Sequence, residues 1–214
     1  MATATKAAAP KAVETLVITP PDFRVLELQI QGTSPLLINR FSAKAIEQMR
    51  AAQEAGSTAK SKKVREPKDF DRLYEDAKHI SEEGWEGFHA ASIRNGAISA
   101  CRAAGVVMTR AKLCIFCLPD GFDRVDGTPL VRINGTSEQH VAPTRNQTGV
   151  IDLRCRPLYR EWGATLRIRY DAGMISAEGI ANLIMRLGCQ VGIGEGRPDS
   201  KNSAGLGYGL FSIV

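Results

Sequence analysis

The sequence predicts an α+β protein in which two helices cover one face of a four-stranded antiparallel sheet. Apolar and polar residues alternate over residues 23–31 and 164–170, the period of a half-buried strand. Apolar and small residues recur every three to four positions over 91–104 and 177–187, which is typical of a helix with one buried face. With 214 residues, 43% of them hydrophobic, the chain is long enough to form the core of a single domain.

The first half of the chain is predicted to contain one clear strand and two helices. The strand over 23–31 is followed by a short apolar run at 36–38 and a helix over 42–55. The second helix, over 91–104, ends at Gly105, a residue that tolerates the left-handed conformation common at helix ends.

The second half is predicted to be rich in strands. Residues 106–118 are interpreted as one long strand that ends in the turn 119–121. The elements expected after it are short strands at 130–133 and 150–156, a strand at 164–170, a helix at 177–187 between the cap Ser176 and the stop Gly188, and a final strand at 206–214.

Without its insertions, this order is strand, helix, strand, strand, helix, strand, the βαββαβ pattern of a ferredoxin-like fold. Residues 1–20 are expected to be a mobile tail, and 21–214 a single domain with a polar insertion at about 56–84. The sheet face opposite the helices is then uncovered. The side chains expected on that face are polar and partly basic: Glu27, Gln29, Gln31, Arg167 and Arg169.

Composition excludes several classes of protein. No apolar stretch approaches the roughly 18–20 residues of a membrane span, and the first residues lack the apolar centre of a secretory signal. Five scattered cysteines argue against a disulfide framework and favour a reducing, cytoplasmic setting. Cys114 and Cys117 form a CxxC motif inside a predicted strand, without the turn that a zinc knuckle needs. We therefore expect no metal and no cofactor.

The positive charge is concentrated in arginines of the second half. The chain has 28 Lys and Arg against 23 Asp and Glu, a net charge of +5, and residues 101–214 hold 12 Arg but only 2 Lys against 10 acids. Arginine offers a planar fork of donors for phosphate and a flat face for stacking. This bias favours a nucleic-acid partner, although an acidic protein surface also fits.

A cluster of glycines precedes the last predicted strand. Its members are Gly192, Gly194 and Gly196, followed by Arg197-Pro198 and then by Gly205, Gly207 and Gly209. Glycine permits positive φ and close backbone approach, so such a loop can present N–H groups to a phosphate. The cluster fits neither a dinucleotide fingerprint nor a P-loop. The alternative interpretation is a set of tight turns and a glycine-tolerant edge strand.

The segments 192–197 and 205–207, together with the element order from about 23 to 214, resemble the RAMP superfamily, the RNA-binding proteins of CRISPR systems. The likeness is greatest to the backbone subunits that line up along a guide RNA, which carry polar insertions between the first strand and the first helix. The resemblance implies a non-enzymatic protein that binds single-stranded nucleic acid, RNA more than DNA, as a homo-oligomer or within a multi-subunit complex.

The contacts expected with the nucleic acid come from several parts of the chain: Asn39, Arg40, Lys62, Lys63, Arg94, Asn95, Arg102, Arg167, Arg169, Gly192, Gly194, Gly196 and Arg197. Because aromatic residues are scarce, at 6%, and no aromatic pair is predicted on the open sheet face, we expect binding through the phosphates without a stacking platform.

Other functions stay open at this point. One alternative is a RAMP-type endoribonuclease that uses His89 or His140 as a general base. Another is a structural or assembly protein of phage type, whose sheet edge and termini contact other subunits. A phage or plasmid relative with a different single-strand task is also compatible with the sequence.

Overall fold

The computed structural model describes residues 18–40, 50–51, 54, 68–145, 151–200 and 205–214. The fold is α+β with antiparallel sheets, and its elements follow in chain order. The first half holds β1 (Phe23–Gly32), β2 (Leu36–Leu37), α1 (Phe70–Asp76), β3 (His79–Ile80), β4 (Glu86–His89), α2 (Ala91–Ala104), α3 (Met108–Cys114) and β5 (Ile115–Leu118). The second half holds β6 (Gly121–Phe122), β7 (Pro129–Arg132), β8 (Glu138–Arg145), β9 (Ile151–Tyr159), β10 (Gly163–Asp171), α4 (Ala177–Arg186) and β11 (Phe211–Ile213).

The central sheet has four antiparallel strands in the order β11-β1-β10-β5. The long strands β1 and β10 pair from Phe23 opposite Asp171 to Gln31 opposite Gly163. Helix α2 lies in the connection from β1 to β5, and α4 lies in the connection from β10 to β11. Each helical connection therefore joins two strands that have a third strand between them.

Both helices contribute to one hydrophobic core with the inner face of this sheet. Ile30, Leu166 and Ile168 of the sheet are buried together with Ile93 of α2 and Ile184 of α4. The small residues of α2 allow close packing on the end of α4. A Cβ on Gly96 would lie 2.3 Å from Cδ1 of Leu187. The side chains predicted for the opposite face are accessible: Glu27, Gln29, Gln31 and Arg169 are exposed, and Arg167 is partly exposed.

Two smaller antiparallel sheets flank this core, in the orders β2-β9-β8 and β3-β4-β7-β6. The sequence predicted the strands at 130–133 and 150–156, which correspond to β7 and β9. It did not predict β3, β4, β6 or β8. Strands as short as β3 and β6 carry no periodicity of their own, and β8 contains Pro143, a residue that argues against a strand.

The prediction of one long strand over 106–118 is wrong. Residues Met108–Cys114 form helix α3, and only Ile115–Leu118 form a strand. Met108, Ala111 and Cys114 recur at intervals of three and are packed in the core, so the apolar residues of this segment follow a helical period.

The ends of the last helix and the last strand also differ from the prediction. The Ser176 side chain caps α4 by accepting a hydrogen bond from the Gly179 N–H, as expected. Gly188 does not end the helix, because a π-helical turn continues over Leu187–Val191 up to Gly192 at φ 71°. The final strand is Phe211–Ile213 and not 206–214, because the glycines before it have positive φ.

Several predictions fall on residues outside the described ranges. The predicted tail lies there except for its last residues from 18 onward, and so do residues 56–67 of the polar insertion, with Lys62 and Lys63. The remainder of that insertion contains α1 and β3. Of the helix predicted over 42–55, only Arg50, Ala51 and Glu54 are described, and these are helical.

Candidate functional site

A cleft of about 810 Å³ opens between helix α2 and the segment that follows the π-helical turn. Four stretches of chain line it: the residues after β2, the strands β3 and β4, helix α2, and residues 191–200. Its volume is in the range of sites that hold small ligands or single nucleotides, about 300–1,000 Å³.

Six of the predicted contact residues line this single cleft: Asn39, Asn95, Arg102, Gly192, Gly194 and Arg197. They come from three separate stretches of the chain, so only the fold brings them together. Sequence reasoning missed Ser92 and Ser99, which also line the cleft. Their signal was present in the spacing, because positions 92, 95, 99 and 102 recur every three or four residues along one face of α2.

Arg102 and Asp199 form an ion pair in the lining of the cleft. The guanidinium of Arg102 donates to Oδ1 of Asp199 at 2.6 Å and to Oγ of Ser99 at 2.6 Å. The Ser99 hydroxyl in turn donates to Oδ2 of Asp199. The bond from Ser99 lowers the pKa of Asp199, and Arg102 lowers it further by hydrogen bonding and by its charge, although burial opposes both. Asp199 is therefore an ionised carboxylate that fixes the Arg102 side chain.

The other cleft carboxylate is paired as well. Oε1 of Glu195 lies 2.6 Å from NH1 of Arg156, and Oε2 of Glu195 has no hydrogen-bond partner among the described residues. Arg197 donates from NH1 to the Gly194 carbonyl at 3.0 Å. Because each acid is neutralised by an arginine, the guanidinium of Arg197 adds positive charge to the cleft.

Two histidines also line the cleft, and their side chains lie on the same face of one small sheet. His79 of β3 pairs with Gly87 of β4, and His89 is two residues further along β4. Nδ1 of His79 lies 2.8 Å from Oδ2 of the buried Asp123. Nδ1 of His89 accepts a hydrogen bond from the Ala91 N–H at 3.0 Å. In its neutral form His89 therefore carries its proton on Nε2.

Burial lowers the pKa of His89, and the nearby His79 lowers it further, while Asp126 acts in the opposite direction. His89 is thus kept as a neutral donor at neutral pH. Sequence reasoning singled out His89 but gave no role to His79, because the pairing of β3 with β4 carries no local signal. His140, the other histidine considered, lies on β8 and does not line the cleft.

The glycines shape the loop beside the cleft by allowing close backbone contacts. All six have positive φ, between 70° and 74°. A Cβ on Gly209 would lie 1.9 Å from the Ile193 carbonyl oxygen, and one on Gly194 would lie 2.6 Å from that of Leu37. Backbone bonds within the protein use the N–H groups of Gly192, Ile193, Glu195, Leu206, Tyr208 and Gly209. The geometry thus supports the interpretation as tight turns for most of the loop.

Two other arginines predicted to contact nucleic acid, Arg40 and Arg167, interact instead with groups of the protein itself. Nε of Arg40 lies 3.4 Å from Oδ2 of the buried Asp123, and only a small part of the Arg40 side chain is exposed. Arg167 donates to the Pro119 carbonyl and to Oδ1 of Asp120, the latter at 3.1 Å.

Arg94 and Arg169 lie away from the cleft and meet at the ring of Phe116. The expectation that no aromatic pair occupies the open sheet face is wrong, because Phe23 and Phe116 contact each other there at a centroid distance of 6.0 Å. The pair was invisible in the sequence, since the register of β5 depends on where α3 ends.

Comparison of the chain with models of known protein families and with curated proteins yields no match. Within the described ranges, no helix combines the length and the apolar character needed to cross a bilayer. In the same part of the chain, no group of three or more His, Cys, Asp or Glu side chains is arranged to hold a metal ion.

Proposed function

We propose that the protein binds single-stranded nucleic acid, RNA in preference to DNA, in the cleft between α2 and residues 191–200. One observation carries the proposal. Four polar or basic side chains, those of Asn39, Asn95, Arg102 and Arg197, converge on one open cleft from three separate stretches of chain. Amide and guanidinium groups are the donors that recognise phosphate oxygens and base edges.

We also propose that the central sheet and its two helices are a ferredoxin-like core of the RAMP type. The strand order β11-β1-β10-β5 supports this assignment, because each helical connection spans an intervening strand, as in a split βαβ unit. The position of the glycine-rich segment between α4 and β11 agrees with the resemblance described for the sequence.

In this proposal, binding is driven by the phosphates and depends strongly on salt. Arg102 is already oriented by Asp199 and Ser99, so little side-chain entropy is lost when it meets a phosphate. Among the described residues, the Arg197 guanidinium donates to the Gly194 carbonyl and forms no ion pair with a carboxylate, so its charge is available to a phosphate. Because the cleft residues contact the sugar-phosphate backbone of the nucleic acid, we expect binding to tolerate different base sequences.

We further propose that repeated subunits assemble along the nucleic-acid strand, as CRISPR backbone subunits do along a guide RNA. The hairpin of β8 and β9 supports it. Val141, Ile151 and Leu153 are exposed, and the register of the hairpin puts them on one face. An exposed apolar stripe of this kind is suited to contact with a second copy.

The test is equilibrium binding of a labelled single-stranded RNA at low and moderate salt, with single-stranded DNA in parallel. We expect affinity to fall steeply with salt, and Arg102→Ala and Arg197→Ala each to lower the slope by about 1. Arg160→Ala is the matched control, because Arg160 is 67% exposed and paired with Glu138 at 2.7 Å, much as Arg102 is 58% exposed and paired with Asp199.

Absence of binding at low salt contradicts the proposal. If Arg102→Ala and Arg160→Ala change the affinity and its salt slope equally, the binding site lies elsewhere on the protein. Stronger binding of DNA than of RNA contradicts the stated preference alone.

A second candidate function, metal-independent cleavage of RNA, is favoured by the two histidines of the cleft. His79, oriented by Asp123, has the arrangement of a general base that takes the proton of the attacking hydroxyl and can return it to the leaving oxygen, and the Nε2–H of neutral His89 has that of a hydrogen-bond donor to the phosphate. Labelled RNA incubated with chelator should then be cleaved, and His79→Ala or His89→Ala should slow cleavage about 10²–10⁴-fold. His140→Ala is the control. Absence of cleavage, or equal cleavage by all variants, rejects this candidate.

A further inference from the structure

Two phenylalanines and two arginines form a cluster on the outer side of the central sheet, outside the cleft. We call it the phenylalanine cluster and define it as Phe23, Phe116, Arg94 and Arg169. The Phe23 and Phe116 rings meet edge to face, with an interplanar angle of 68°. The guanidinium carbon of Arg169 lies 5.0 Å from the centroid of Phe23 and 4.9 Å from that of Phe116.

The strand register builds this cluster. Arg169 of β10 is opposite Val25 of β1 on one side and opposite Phe116 of β5 on the other, so these side chains form a row across the sheet. Phe23 precedes Val25 by two residues and therefore points to the same face. Phe23 is 45% exposed and Val25 is 57% exposed, which leaves a flat apolar surface open to solvent.

The arginines of the cluster keep their positive charge available. Arg94 lies with its guanidinium 5.2 Å from the Phe116 centroid and donates to the carbonyls of Ile115 and Lys112. In the described part of the chain, no carboxylate forms an ion pair with Arg94 or Arg169. Arg24 and Arg167, at other positions of the same sheet, are instead paired with Asp22 and Asp120.

The exposed Phe23 ring, with the partly buried Phe116 ring and unneutralised guanidinium groups beside it, matches the chemistry of a nucleotide. A base stacks on a ring or on a guanidinium plane, and its phosphate neutralises the positive charge. An acidic peptide would satisfy the charge but would leave the flat apolar surface of Phe23 and Val25 without a planar partner. The combination therefore favours a single-stranded nucleic acid over an acidic peptide.

We propose that the phenylalanine cluster is a base-stacking site that binds one nucleotide of a single-stranded nucleic acid outside the cleft. The inference rests on the proposed function, because it adds a second point of contact on the same ligand. Its consequence is that binding depends on an aromatic side chain as well as on phosphate contacts.

The experiment measures binding of a fluorescently labelled single-stranded RNA to the full chain and to Phe23→Ala. We expect Phe23→Ala to weaken binding about 5- to 100-fold, the loss typical of one stacked base. Phe122→Ala is the matched control, because Phe122 is also an exposed phenylalanine, 49% accessible, on β6. It should bind as the wild type does.

Two further measurements separate stacking from a loss of structure. Phe23→Trp keeps a planar ring, so it should retain affinity, and its added tryptophan fluorescence should be quenched when the RNA binds. Arg169→Lys keeps the charge but loses the flat guanidinium, so it should weaken binding without changing the salt slope. Thermal unfolding of each variant shows whether it is folded.

The outcomes distinguish this inference from the proposed function. No binding by the wild type overturns both. Binding by the wild type with equal affinity of Phe23→Ala and Phe122→Ala overturns the stacking site alone, and so does an unquenched Phe23→Trp. Polyglutamate of equal charge serves as a competitor for the RNA. If it displaces the RNA and its binding depends on Phe23 in the same way, the cluster is an acidic-peptide site and the inference is overturned.

Discussion

Arg156 and Glu195 connect the β8–β9 hairpin to the wall of the cleft. NH1 of Arg156, on β9, lies 2.6 Å from Oε1 of Glu195, and the Arg156 side chain is only 8% exposed. Burial lowers the pKa of Arg156, and the charge of Glu195 opposes this shift. The pair ties the hairpin to the segment that holds Gly194 and Arg197.

Replacement of Arg156 by methionine should destabilise the protein by about 2 kcal/mol. The change leaves Glu195 without its partner in a partly buried position, where an unpaired charge is costly. Urea unfolding measures the loss. Arg160→Met, which removes an exposed arginine, should cost less than about 0.5 kcal/mol. If the two variants lose similar amounts of unfolding free energy, the burial of Arg156 does not contribute to stability.

Two glycines of the same loop should respond differently to alanine. Gly207→Ala introduces a Cβ at φ 74° with no atom within 4 Å, so it should cost only the conformational strain of about 1 kcal/mol. Gly209→Ala adds a clash with the Ile193 carbonyl at the same kind of φ and should cost at least about 2 kcal/mol more. Denaturant unfolding compares them, and equal stability of the two variants contradicts the packing described.

Stability should fall in acid because of Glu86. Burial raises the pKa of Glu86, but hydrogen bonds from Tyr159 and Ser137 and the charge of Lys78 outweigh it and hold the pKa below the ordinary 4.5. A folded-state pKa below the unfolded value means that this stabilisation is present above the ordinary pKa and is lost as pH falls through the folded value.

The test is Tyr159→Phe, which removes the hydroxyl that donates to Oε2 of Glu86 at 2.6 Å. The variant should be about 1–2 kcal/mol less stable than the wild type at neutral pH. Unfolding measured from neutral pH to about pH 3 should show this difference narrowing. A difference that is constant with pH would mean that Glu86 does not carry the effect.

One thiol should react far faster than the other four. Cys189 is exposed, whereas Cys101, Cys114 and Cys155 are buried. Burial raises the pKa of the Cys117 thiol to about 12, with a further contribution from Asp120. Titration with a thiol reagent at neutral pH should therefore show one fast equivalent, and Cys189→Ser should abolish it. Two or more fast thiols in the wild type contradict the burial of the others.

Helix α2 and strand β10 show what was predictable from the sequence. Helix α2 has the bounds expected from its spacing, and β1 and β10 differ from expectation by a residue or so at their ends. In each case the element is long enough to repeat its period several times. The inward and outward faces follow from that period alone, which is why the position of Arg169 on the uncovered sheet face was predicted, whereas the cleft that Asn95 and Arg102 line was not.

Short or mixed segments were not predictable in the same way. Helix α3 has 7 residues and strand β5 has 4, so neither repeats its own period often enough to be recognised. The apolar run at 106–118 was therefore interpreted as one strand. Arg40 was expected to contact nucleic acid, as a residue that follows the first strand. Its burial beside Asp123 depends on the turn between β6 and β7, which is remote in sequence.

The sequence by itself determined the principal helices, the two long strands and the loop whose glycines line one wall, because local periodicity and backbone freedom are properties of neighbouring residues. Only the tertiary structure decided which of these meet. The juxtaposition of His79 with His89, and of Phe23 with Phe116 and Arg169, depends on strand register, which is set by contacts between residues far apart in the chain.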